Sequence, residues 1–284
     1  MSVIKEDADN SLAVKEADYM KRIQHNMRTI IVISLLFLCF DLFTAVSART
    51  VEYEEQYQSA LSYEKDYVIH QGLDDWSVFT LSRADALTEQ QKKDYLEALK
   101  KLLEENQGVL SRNRSTEYSR RVLAVTALGI DANDVNGYSL IEPLACYDFT
   151  VQQGLYGGIY TLLALDCGDY EVPAVSEGYQ QTTRDNMISY LLSRQLSDGG
   201  WAVSGKYADP DATASVISAL TPYYGVKPEV TTALDKGVNK LSAMMSNTGA
   251  YLSYGAANAE STAQVLVAMA TFGIPVGHAD YVKA

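Results

Sequence analysis

Histidine and cysteine are scarce in this chain, three of each among 284 residues. None of His25, His70 and His278 pairs with a cysteine at ligand spacing, so no zinc or other metal site is expected. No Cys-Gly-Glu-Gln thioester, nucleotide-binding glycine loop or Ser-His-Asp arrangement occurs. Basic residues are outnumbered, 23 against 36 acidic, and the net charge of −13 argues against nucleic acid and anionic surfaces as partners. Tryptophan occurs only as Trp76 and Trp201, too few to trace an aromatic-lined cavity. No alternating stretch long enough for a strand competes with the helical patterns. Tyrosine, by contrast, is abundant, 20 residues against 6 phenylalanines. Such amphipathic rings suit a wet groove or ligand face, or the solvated faces of helices.

The N-terminal quarter divides by composition. Residues 1–29 read as a cytoplasmic extension, with Met20 an alternative start and Lys21, Arg22 and Arg28 ahead of an apolar run. Residues 30–48 form that run, broken by Asp41, and Val46-Ser47-Ala48 offers small residues for cleavage. The segment is a signal peptide or an uncleaved transmembrane anchor, and Asp41 weighs against the anchor. Either way the C-terminal part is expected outside the cell or at its surface. Leu38 before Cys39 is too bulky for lipoprotein processing. Residues 49–73 are rich in Tyr, Glu and Gln, a helix or linker leading away from the membrane.

From residue 74 onward the chain alternates between two kinds of helix. Amphipathic ones carry Tyr95, Leu96, Leu99, Leu102 and Leu103, then Met187, Ile188, Leu191 and Leu192, then Val230, Leu234, Val238 and Leu241. Between them lie segments apolar nearly all round, expected at 76–84, 120–128, 156–166, 212–224 and 261–272. One apolar face implies a surface position and an all-apolar helix implies cover on every side. The alternation therefore predicts an all-α fold with buried helices inside exposed ones. The apolar segments also resemble each other at a spacing of roughly 40–55 residues, a helical-hairpin repeat. If 139–146 and 153–166 are antiparallel helices, Cys146 and Cys167 lie roughly 20 Å apart at ~1.5 Å per residue, so no disulfide is expected.

The stretch Gln195-Leu-Ser-Asp198-Gly-Gly-Trp201 ends one helix in a glycine corner and places a large ring just beyond it. It resembles the QW motif of the squalene cyclase and prenyltransferase repeat family. Asp209-Pro-Asp211-Ala-Thr213-Ala214 is similar to that family's acid motif. With Asp75-Trp76, Arg121–Gly129, Gln153-Gly154-Leu155 and Asn258–Gln264, the resemblance spans most of 74–284. It extends to an exported bacterial branch similar to the helical domain of cobalamin carriers of the intrinsic-factor type. The family fold is an α/α toroid of six hairpins, of which five inner helices are found here. The sixth is expected beyond Ala284, unless the toroid is open.

In cyclases of this family the middle carboxylate of an Asp-x-Asp-Asp motif protonates a polyene. Asp211 matches that position and Asp209 the first, but Ala212 stands at the last, so the carboxylate cluster is incomplete. The plainer role is helix capping by Asp209 and Asp211. The resemblance implies parallel inner helices whose N-terminal ends share one mouth. The residues expected there as ligand contacts are Trp76, Tyr118, Arg121, Gln153, Asp209, Asp211, Thr213, Glu260 and Gln264. Cap spacings, Ser115-Thr116 to Glu117 and Asn258 to Glu260, give some of them a structural use as well. Gln195 and Trp201 are expected to clip repeats together. The function implied is binding, of a small-molecule ligand with cobalamin a candidate, or of a cell-surface component, with no catalytic residue. A terpene cyclase using Asp211, and a purely structural repeat, are the alternatives.

Overall fold

The computed structural model describes residues 58–274 apart from 60, 61, 64, 71 and 254, and the described part of 58–70 is helical. The signal or anchor expected at 30–48 lies outside the described residues. Among those described, no helix is long and apolar enough to cross a membrane.

The fold is mostly helical. The main helices are α1 (Asp75–Arg83), α2 (Glu89–Glu105), α3 (Thr116–Ala127), α4 (Tyr147–Val151), α5 (Leu155–Cys167), α6 (Arg184–Ser193), α7 (Pro210–Leu220), α8 (Pro228–Met244) and α9 (Ala259–Phe272). Among the described residues one antiparallel hairpin, β1 (Tyr251–Ser253) with β2 (Ala256–Asn258), precedes α9 and pairs Tyr251 with Asn258. The sequence pattern missed it because each strand is three residues long. The helix expected at 139–146 is instead a 3-10 turn, Glu142–Ala145, with Pro143 at its start, followed by the short α4. Proline lacks the amide a longer helix would need.

α1, α3, α5, α7 and α9 form a row in which each helix packs on the next. α6 lies on α5, and α8 lies on α7 and α6. α2 reaches the row through the Tyr95 hydroxyl, which donates to Asp75 at 2.8 Å. The row is parallel, because like ends meet. At the N-terminal ends, Thr116 N donates to Gln153 Oε1 at 2.9 Å and Ser261 Oγ to Asp211 Oδ2 at 3.1 Å. At the C-terminal ends, Ser82 Oγ donates to Ala127 O and the Tyr223 hydroxyl to Asp166 Oδ2, each at 2.8 Å. α5 and α7 are enclosed on nearly all sides, as their composition requires, whereas α9, expected to be covered as well, leaves Ala263 and Leu266 exposed.

Three devices hold the helices together. Trp201 is fully buried, and its Nε1 donates to Leu191 O at 2.8 Å. Gln195 Nε2 donates to both Gly199 O and Ala233 O at 2.8 Å, tying the corner to α8. Gly237 lies under the indole, where a Cβ would come within 2.8 Å of Trp201 Cζ3. The Asp198 carboxyl closes the corner on Lys240 at 2.9 Å. Partial burial would raise its pKa, but Lys240 and the Ala208 and Gly200 amides outweigh this and hold it below the usual range. The other two devices are Asp–Arg–Tyr triads. Asp75 accepts from Tyr95 and from Arg120 Nε at 2.6 Å, and Asp166 accepts from Arg184 Nε at 2.7 Å and from Tyr223. Arg184 also donates to Leu165 O and Tyr170 O, carbonyls exposed where α5 ends. No disulfide joins Cys146 to Cys167, although the helix at 139–146 on which that expectation rested does not form.

Candidate functional site

Each row helix presents its second and sixth residues on one face, since residues four apart lie one above the other. The pairs are Trp76 and Thr80 on α1, Glu117 and Arg121 on α3, Tyr156 and Tyr160 on α5, Asp211 and Ser215 on α7, and Glu260 and Gln264 on α9. Across the row these positions meet. The Trp76 ring lies 5.4 Å from Tyr160, and Tyr160 stacks on Tyr156 at 6.1 Å. α3 packs against both α1 and α5, so the Trp76–Tyr160 contact passes over the face of α3. The two rings therefore converge on that side, over the face these pairs share.

The electrostatics of the face are set by burial and like charge. Burial raises the Asp211 carboxyl, and Asp209 and Glu260 push it the same way, while the Ser261 hydroxyl partly offsets them. Tyr156 is pushed up to about 12, first by burial, then by Tyr160 and the Asp211 and Asp209 charges. Thr80 is 6% exposed, and its hydroxyl oxygen has no hydrogen-bond partner among the described residues. A buried hydroxyl left unpaired in this way is costly unless a ligand or water completes it.

Asp211 gives a pH test. Its folded pKa lies above the unfolded value, so the ionised form is disfavoured in the fold. The resulting instability is present above the folded pKa and relieved as pH falls through it toward 3.8. Asp211→Asn should therefore be more stable than the parent at pH 7 and lose that advantage near pH 3.5. The gain should stay below about 1 kcal/mol, because solvent at the half-exposed carboxylate screens the charge. Paired urea titrations at the two pH values check it, and an advantage that grows on acidification would contradict the sign.

The other expected contacts divide by what holds them. Asp209 is the α7 cap, accepting from Ala212 N at 2.9 Å, whereas Asp211 caps nothing and reaches Ser261 on α9. Glu260 is exposed at the same end, and Gln264 is half-buried one turn along. Four expected contacts are committed within the fold instead. Tyr118 is buried, and its hydroxyl accepts from Leu110 N at 2.9 Å. Thr213 is buried and exchanges hydrogen bonds with the backbone of Trp201. Gln153 caps α3 from the neighbouring loop, a task the sequence assigned to Ser115, which donates to Thr150 O and makes no cap bond. Arg121 donates to Glu117 and lies 3.7 Å from Asp75.

Tyr156, Tyr160 and Thr80 were missed by the sequence reading. Their signal was available: a tyrosine pair four residues apart in a segment otherwise apolar all round. No group of side chains that could hold a metal ion occurs among the described residues. A separate open cavity of about 640 Å³ lies at the opposite, C-terminal end of the row. Comparison with family models, curated proteins and solved structures finds nothing that matches this chain.

Proposed function

We propose that this chain is a non-catalytic, terpenoid-cyclase-like α/α toroid, exported or tethered at the cell surface. Its converging face takes a small-molecule ligand or a cell-surface component. The observation that carries the reading is the ring contact from Trp76 to Tyr160 across α3, with the unpartnered Thr80 hydroxyl one turn beyond Trp76. Aromatic surface with a few convergent polar groups is the usual composition of a small-molecule site.

Terpene cyclisation with Asp211 as acid is the second reading, favoured by the raised Asp211 carboxyl beside Tyr156. Against it stands Ala212, buried where the motif would place another carboxylate.

Calorimetry of the purified chain with cobalamin and with squalene, beside a turnover assay, separates these readings. The expected result is saturable binding without turnover, weakened about tenfold by Trp76→Ala, the loss of one well-packed aromatic contact. Squalene turnover abolished by Asp211→Asn would replace the binding role with the cyclase. No binding to either probe, with thermal stability unaffected by both, would leave a structural repeat.

A further inference from the structure

The cavity at the C-terminal ends of α1, α3 and α5 has a chemistry of its own. Arg83 stands in the last turn of α1, half-buried in the cavity wall beside Cys167, the last residue of α5. Arg120, Arg121 and Arg184 each pair with a carboxylate. Arg83 has no carboxylate within ion-pair distance among the described residues. Burial pulls its pKa down, and only the Cys167 thiol opposes that. A guanidinium drawn out of water without an anion is left with donors in a fixed fork that matches a carboxylate. The wall behind it is rigid, because the Thr126 and Tyr170 hydroxyls bond to each other at 2.7 Å and Tyr170 also accepts from Ala132 N.

The rim carries the opposite sign. Asp131, Asp169 and Glu171 are exposed around the opening, with Arg184 only loosely set against Asp169 at 3.9 Å. Three helices also end here, and their last carbonyls add negative potential. A polyanion would be repelled at this rim and a simple cation would meet Arg83. The volume of about 640 Å³ suits a small molecule. We propose that this cavity is a second ligand site, taking a small zwitterion whose carboxylate lies on Arg83 and whose ammonium meets the acidic rim. A free amino acid and the terminus of a short peptide share this chemistry.

Cys167 supplies the readout. The full chain is alkylated with iodoacetate and, separately, iodoacetamide, and the rates at Cys167 and Cys146 are followed by peptide mass. A carboxylate-bearing reagent that docks on Arg83 should raise the iodoacetate-to-iodoacetamide ratio at Cys167 about tenfold above that at Cys146, one charge-assisted contact's worth. Arg83→Gln should bring the two ratios together. In the parent chain, glycine or 4-aminobutyrate should slow labelling at Cys167 but not at Cys146, and acetate should do so less. Protection by glycine but not by a dipeptide identifies the free amino acid as the source, and the reverse identifies a peptide. Equal ratios at the two cysteines, or acetate protecting as well as the amino acids, would overturn the proposal. Should Arg83→Gln fail to fold by circular dichroism, the protection series in the parent chain decides alone.

Discussion

Replacing Trp201 with alanine is expected to cost about 3–5 kcal/mol of folding free energy, the range for deleting a large buried ring. The indole is completely buried, and three separate parts of the chain are shaped around it. Gly237 gives it a flat seat on α8. Thr213 on α7 grips its backbone on both sides. The end of α6 accepts its N–H at Leu191. Removing the ring empties the space where α6, α7 and α8 join, and those helices cannot collapse into it without losing the Gln195 clip to Ala233. Trp201→Phe should retain most of the packing and lose about 1 kcal/mol for the missing hydrogen bond. Urea unfolding of the two variants beside the parent decides the matter. An alanine variant within about 1 kcal/mol of the parent would mean that the corner does not join α6, α7 and α8.

Asp75→Ala should cost about 3 kcal/mol, the lower end of what breaking a buried ion pair costs, because Arg120 is about a third exposed. Asp75 itself is 8% exposed and is the point where three elements meet. It takes the Tyr95 hydroxyl from α2 and the Arg120 guanidinium from α3, with Arg121 at 3.7 Å. Burial and the Asp75 charge both hold the Tyr95 phenol protonated, so it remains a donor at any working pH. Without the carboxylate, that donor and two guanidinium groups lose a shared acceptor, though Glu117 still holds both arginines. Asp75→Asn should recover part of the loss, since an amide oxygen can accept from Tyr95 but cannot balance the positive charge. Tyr95→Phe should lose only about 1 kcal/mol, one neutral-donor hydrogen bond. If all three variants unfold at the same urea concentration as the parent, Asp75 is a solvated surface group despite its burial.

Asp75 also shows why the candidate face was only partly legible in the sequence. Asp75 and Trp76 are adjacent and were read together, yet they turn to opposite duties. Asp75 anchors α2 and α3, and Trp76 joins Tyr160 on the converging face. Similarly, Asp209 and Asp211 are two residues apart on one helix start. The first closes its own helix, while the second reaches α9. A sequence pattern fixes which residues stand near a helix start, but the direction each side chain takes depends on the neighbour it meets.

The sequence by itself determined the helical class, the alternation of enclosed and exposed helices, and the glycine corner at Trp201. Those are local properties: apolar periodicity decides how many sides of a helix must be covered, and paired glycines decide where it stops. Only the tertiary structure decided which of the expected polar residues remain available. Tyr118, Gln153 and Thr213 are consumed by backbone groups of other segments, up to 37 residues away. It likewise decided that Tyr156 and Tyr160 join Trp76, and that Arg83 has no carboxylate at ion-pair distance among the described residues. Both outcomes depend on contacts between helices far apart in the chain. Buried donors and acceptors must be satisfied wherever a partner lies in space, and nothing in the local pattern specifies that partner.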